Sequence, residues 1–198
     1  MKTDNNFDTR KLVLLALLTG IVIALQFLGA FIRFGPFSIS LVLLPIVIGA
    51  ALVNTLAAGW LGLVFGLVVL ASGDANAFIA VNPFGTVIVV LLKGVVAGLA
   101  AGIAYQLISK INKTAGAIAA AVVCPIGNTG IFILGSYVFF LPTLTEWAAA
   151  AGDYANVTAY IFLGMIGLNF VFELGLNIVL CPVIVRLIQY GQDRRRTA

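Results

Sequence analysis

Apolar runs of 18 residues or more recur along this chain with almost no charge inside them, a pattern that few folds accommodate. In hydrocarbon such a run can satisfy its backbone only as a helix, and about 20 apolar residues span the bilayer. Hydrophobic residues make up 62% of the 198 and charged residues 9%, with a mean hydropathy of +1.17, which excludes a water-soluble domain. The expected fold is an all-α integral membrane bundle, a single domain over residues 1–198, because the polar ends are too short to fold separately. The first run follows Arg10 and Lys11 as in a secretory leader, yet it lacks a cleavage pattern and is long enough to span, so it reads as a retained helix.

Glycine, proline and polar clusters divide the chain into six spans, residues 12–32, 39–53, 56–71, 86–108, 115–140 and 160–188, the second kinked by Pro45. With both termini in the cytoplasm, the inner segments hold Lys2, Arg10, Lys11, Lys110, Lys113, Arg186 and the Arg194-Arg195-Arg196 tail, whereas Arg33 is the basic residue of the outer loops. That asymmetry sets the orientation in the cell membrane. Asp74, Glu146 and Asp153 then fall outside. The net charge of +4 is accounted for by topology and needs no nucleic-acid partner.

Small residues recur every fourth position: Ala16, Gly20 and Ala24 in the first span, Gly62 and Gly66 in the third, Gly94, Gly98 and Gly102 in the fourth. These are surfaces for close helix approach. For the fourth span the natural use is packing within the bundle; for the first, spacing leaves open whether the partner is this chain or another subunit.

Two ionisable residues, Lys93 and Glu173, are stranded inside apolar runs. Such groups cost at least about 2.5–3.5 kcal/mol to insert and so pair or line a cavity. Lys93 lies seven residues into the fourth span, on the order of 10 Å below the outer surface, and Asn128 and Glu173 come out at a similar depth. Asn169, Glu173 and Asn177 share one helical stripe that should face the bundle interior, toward Lys93, Asn128 and Thr129. Two readings fit these residues: a polar ligand pocket in the outer half, or an internal Lys93–Glu173 ion pair with amides as interhelical glue. Aromatic and polar residues around the outer loops, among them Arg33, Phe37, Asn76, Asn82 and Tyr137, suit a small-molecule site, although aromatics also gather at any membrane interface.

No histidine occurs, and Cys124 and Cys181 lie far apart inside apolar runs, so metal and disulfide chemistry have little support; the thiols read as small buried hydrophobes. No nucleophile elbow, phosphate-cradling loop or neighbouring carboxylate pair appears, and no cofactor is expected.

The order of features resembles the substrate-binding S-components of energy-coupling-factor vitamin transporters. The resemblance rests on Gly35-Pro36-Phe37-Ser38-Ile39-Ser40-Leu41, Leu44-Pro45-Ile46-Val47-Ile48-Gly49-Ala50, Ala58-Gly59 and Gly62-Leu63-Val64-Phe65-Gly66-Leu67. It continues in Lys93-Gly94-Val95-Val96-Ala97-Gly98, Asn128-Thr129, and Asn169 with Glu173 ahead of Cys181-Pro182-Val183-Ile184. It implies a six-helix subunit that captures a water-soluble vitamin outside the cell. The implied site is built from the loops after the first and third helices and the outer halves of the last three. The resemblance further implies a docking role for Ala16, Gly20 and Ala24 toward a coupling membrane subunit driven by two ATPase subunits. The helix-two segment looks most like the pantothenate-type subgroup, and a buried lysine suits a carboxylate-bearing ligand. The competing functions are a small membrane enzyme using Lys93 and Glu173, and a structural assembly protein. The orientation has a direct check: Asn76→Cys is expected to react with a membrane-impermeant thiol reagent from outside intact cells, and labelling only from the cytoplasmic side overturns it.

Overall fold

The computed structural model describes residues 9–30, 33–34, 37–38 and 41–196. The chain runs through α1 (Thr9–Gly29), a small hairpin of β1 (Arg33–Phe34) and β2 (Phe37–Ser38), α2 (Leu43–Leu52), α3 (Thr55–Ala71) and the single turn α4 (Asn76–Ile79). It continues through α5 (Pro83–Ile108), α6 (Lys113–Gly135), a π-helical segment Ser136–Phe140, α7 (Leu141–Ala151) and α8 (Val157–Ala159). A second π-helical segment, Tyr160–Gly167, leads into α9 (Leu168–Arg196). Among the described residues, four stretches are long and apolar enough to cross a membrane: Thr9–Ala30, Pro83–Ile108, Lys113–Ala151 and Val157–Leu180. The apolar α2 and α3 are shorter, at 10 and 17 residues.

Asparagine starts four of the helices. Its short side chain accepts a hydrogen bond from a first-turn amide that has no partner within the helix. Asn54 accepts from the Ala57 amide at 2.7 Å to begin α3, and Asn82 from the Gly85 amide at 2.9 Å to begin α5. Asn112 accepts from the Thr114 and Ala115 amides to begin α6, and Asn156 from the Ala159 amide to begin α8. The Asn82 cap and Pro83 in the first turn explain why α5 starts three residues ahead of the expected 86.

Other boundaries also differ from expectation. The first helix ends at Gly29 rather than 32, and the Arg33↔Ser38 and Phe34↔Phe37 pairing of the hairpin follows. Pro45 does not kink α2, because the helix begins at Leu43 and a first-turn residue needs no amide donor. The fifth span does not end at 140. Helix continues to Ala151, where Gly152 closes it in the left-handed conformation at φ 73°. Pro142 cannot donate to the carbonyl four residues back, and the widened segment Ser136–Phe140, which ends two residues ahead of it, takes up the break. Glu146, expected in a loop, therefore sits on α7.

Helix α3 is the hub, packing against α1, α2 and α5; α5 packs in turn on α6, and α6 on α9. The α3–α5 contact is made backbone to backbone. A Cβ on Gly62 would overlap the Gly94 carbonyl, one on Gly94 the Gly62 carbonyl, and one on Gly98 the Ala58 carbonyl. Around this contact a core of Leu43, Ile46, Leu61, Phe65 and Ala97 is fully buried, while α1 presents Leu17 and Leu28 outward at 61% and 60% exposure. Ala16, Gly20 and Ala24 are exposed on α1, and open space surrounds Gly20.

Leucine at Gly62 or Gly94 is therefore expected to lower stability by at least about 1–3 kcal/mol, since the overlap is with backbone and cannot be relieved by a side-chain rotation. Leucine at Gly20 should stay within about 0.5 kcal/mol of the parent. Thermal unfolding of detergent-solubilised variants distinguishes the two cases; equal losses at all three positions would mean that α1 packs by this face as well.

Candidate functional site

A cavity with about 770 Å³ of empty space, its open mouth included, lies where α3, α5, α6 and α9 meet the two π-helical segments. Helix α3 contributes Phe65 and Val69, and the turn after it Asp74 and Ala75, with Phe78 from α4. Helix α5 presents Thr86, Val89, Val90 and Lys93, positions spaced i, i+3, i+4 and i+7 that form one face. From α6 come Asn128, Thr129 and Phe132, and from the first π segment Phe140. The second π segment adds Met165 and Ile166, and α9 adds Phe170 and Glu173.

The π segments matter to the shape. A π turn shifts the register of side chains relative to an α-helix, and such turns occur often at functional sites. Here they aim Phe140 and Met165 inward, where both are almost fully buried. Phe78 is the centre of the aromatic wall, meeting Phe132, Phe140 and Trp147 edge to face at centroid distances of 5.6, 4.9 and 5.8 Å. Such pairs contribute about 0.5–1.5 kcal/mol each beyond the area they bury.

The Lys93 ammonium lies 5.6 Å from the ring centroids of both Phe65 and Phe132, so two aromatic faces support the cation inside the bundle. The Glu173 and Asp74 carboxylates lie close enough for their fields to act on it. Glu173 is 1% exposed, and Asn128, 5% exposed, carries an Oδ1 without a hydrogen-bond partner among the described residues. Thr86 donates its hydroxyl hydrogen to the Asn82 carbonyl at 2.7 Å, leaving oxygen lone pairs toward the cavity. Asp74 is held from the side by α1, whose buried Gln26 donates from Nε2 to Oδ2 at 3.2 Å.

The expected site residues separate into groups. Lys93, Asn128 and Glu173 converge on one cavity, together with Thr129. Asn82 serves as a helix cap and does not line the cavity; Asn76 is exposed at the start of α4; Tyr137 donates from its hydroxyl to Thr158 at 3.0 Å, tying the first π segment to α8. Arg33 and Phe37 belong to the hairpin and Asn169 to α9, but their side chains lie outside the described residues. Asn177 ends its stripe structurally, donating from Nδ2 to the Glu173 backbone oxygen at 2.9 Å. Asp74, read from the sequence only as part of the outer loop after the third span, lines the cavity, and so does Thr86, which was not singled out. Thr86 was detectable as the polar residue two turns before Lys93 on the same face, whereas Phe65, Phe132 and Phe140 carry no signal that separates them from packing residues. Cys124 is a buried free thiol within the core, as its apolar surroundings suggest.

A family model described as ECF transporter, substrate-specific component, matches residues 10–185. The chain belongs to this family: it is a multi-pass membrane protein and a substrate-specific subunit of an ECF transporter, a transport protein and not an enzyme. Neither the curated proteins nor the solved structures give a match to the chain.

Asn82→Ala is expected to cost about 1 kcal/mol of stability through loss of the cap. Asn128→Leu should be neutral or stabilising in the ligand-free protein, because it removes a buried polar group whose oxygen has no partner. Unfolding midpoints of the two ligand-free variants test this, and a marked loss in Asn128→Leu would assign that amide to packing.

Proposed function

We propose that the cavity is the substrate site of an importer subunit that captures a water-soluble vitamin or related micronutrient outside the cell. In this reading the chain forms a six-helix bundle with both termini cytoplasmic, α2 and α3 completing the spans. It passes its cargo to a coupling transmembrane subunit energised by two ATPase subunits. The observation that carries the reading is the convergence of Lys93, Glu173, Asp74 and Asn128 on one aromatic-walled cavity in a member of a substrate-specific family. Charges brought together inside an apolar bundle pair or line a functional cavity, and the unmet acceptor of the Asn128 amide beside them favours the cavity.

The placement supports the orientation. The cavity includes the α3–α4 turn near the start of α5, whereas Lys110 and Lys113 follow the far end of α5, roughly 25 Å from Lys93 along the helix. A cavity open to the outside and a basic inner end are what capture from the medium requires. Ala16, Gly20 and Ala24 form the docking stripe of this reading: they face away from the bundle and from the cavity, on a helix whose other face is buried. Lys93 by itself suits a carboxylate-bearing ligand such as pantothenate, but the two carboxylates beside it weigh against a ligand of net negative charge.

The test compares binding with transport. Lys93→Ala and Glu173→Ala should each weaken retention of the co-purifying small molecule, by about 3–5 kcal/mol where a buried charge loses its counterpart. Leucine at Ala16, Gly20 or Ala24 should abolish ATP-dependent uptake and complex pull-down while retention persists. Full retention in both charge variants overturns the substrate site, and joint loss of folding and retention in the stripe variants overturns the docking role.

A further inference from the structure

The buried apolar side chains of the described residues fall into two clusters. The first joins α1, α2, α3, much of α5 and the first half of α6. The second joins the end of α6, both π-helical segments and α7, and takes in Phe78 of α4 and Val89 of α5. The cavity lies on the seam between them: Phe65, Val69 and Val90 of its lining belong to the first cluster, and Phe140, Met165 and Ile166 to the second. A cavity at the boundary of two packed bodies can be widened by moving one against the other while each keeps its own core.

The two sides of the seam are held differently. The α3–α5 connection is a continuous ladder, in which the amides of Asn76, Ile79, Asn82 and Thr86 donate to the carbonyls of Gly73, Ala75, Phe78 and Asn82 at 2.9–3.1 Å. Gln26 of α1 holds Asp74 within it. Residues 136–167 are bounded by breaks instead. Regular i+4 bonding gives way to the wider pattern at Ser136–Phe140 and again at Tyr160–Gly167, and Gly152 ends α7 in the left-handed conformation between them. Helices bend at such widened turns. The segment is tied to itself, with the Tyr137 hydroxyl donating to Thr158 at 3.0 Å and Tyr154 meeting Tyr160 edge to face at 5.2 Å. It meets the α3–α5 connection through Phe140 and Trp147, which pack on Phe78.

Ser136 gives an independent sign that this packing is one of two. It is the first residue of the first π segment and fully buried, and its hydroxyl has no hydrogen-bond partner among the described residues. A buried polar atom left unpaired is costly. Serine in a regular α-helix can bond the carbonyl three or four residues back, so tightening of this segment to i+4 bonding offers the hydroxyl a partner.

We infer that residues 136–167 are the moving wall of the cavity, swinging as one body about the two π-helical segments, away from Phe78 to admit substrate and back to enclose it, while the α3–α5 connection stays in place. The inference rests on the proposed substrate site and names the wall that moves; its test uses no substrate, so it can fail while that site stands.

Thr86 lines the cavity at 1% exposure, so the rate at which a trimethylammonium-ethyl methanethiosulfonate modifies Thr86→Cys in detergent reports opening. The parent chain, with Cys124 and Cys181, gives the background. Trp147→Ala removes a contact to Phe78 from the moving side and should raise the rate about tenfold. Hydrogen–deuterium exchange then locates the motion: in Trp147→Ala the amides of 136–140 and 160–167 should exchange about tenfold faster, and those of 73–82 stay within about twofold of the parent. Ser136→Ala should act in the opposite sense, slowing modification about threefold or more, because it removes the unpaired hydroxyl of the packed form. Trp147→Leu provides the same readouts should the alanine variant fail to fold. Faster exchange at 73–82 in the Trp147 variant, a modification rate unmoved by that variant, or faster modification in Ser136→Ala overturns the inference. Loss of the substrate site is read separately, from retention in the Lys93 and Glu173 variants.

Discussion

The backbone contact between α3 and α5 at Gly62 and Gly94 sets the positions of most other elements. In lipid there is no hydrophobic force between helices, so association depends on van der Waals contact and on how closely backbones can approach. Glycine on both sides lets each helix rest against the carbonyl of the other. The same crossing sets the site, because Phe65 lies one turn after Gly62 and Lys93 immediately before Gly94. The ammonium is brought over the Phe65 ring by the contact that holds the helices together.

The charged residues inside this bundle are there at a cost to stability. A lysine and two carboxylates in a largely apolar cavity are less favourable than well-packed hydrophobes of similar volume would be. The aromatic faces around Lys93 and the Gln26 amide at Asp74 offset part of that cost. Gln26 also joins the cavity to α1. Its neighbours on the opposite face of that helix include Gly20 and Ala24, so the helix that offers a small-residue surface outward is hydrogen-bonded inward to a residue of the cavity wall.

Much of this was legible in the sequence, for identifiable reasons. The apolar runs, the small-residue spacing and the two stranded charges are one-dimensional patterns, and lipid leaves few ways to satisfy each of them. Counting helical rise placed Lys93, Asn128 and Glu173 at one depth, and the cavity contains all three. The loop residues were less legible, because an asparagine beside a span can cap a helix or bind a ligand. Asn82 caps, and the same local pattern gave no means of telling the two apart.

The sequence by itself thus determined the apolar helical spans, the close-contact faces of the third and fourth of them, and the grouping of Lys93, Asn128 and Glu173, all of which follow from local spacing in a solvent that tolerates no unpaired backbone. Only the tertiary structure decided which aromatic side chains wall the cavity and that Asp74 turns into it. The two π-helical segments were decided there as well, since no residue pattern marks a shift from i+4 to i+5 hydrogen bonding; only the first has a local cause in sequence, Pro142 just beyond its end. The convergence of Lys93, Asp74, Asn128 and Glu173 is a property of that assembly, because it exists only after helices from separate parts of the chain have met.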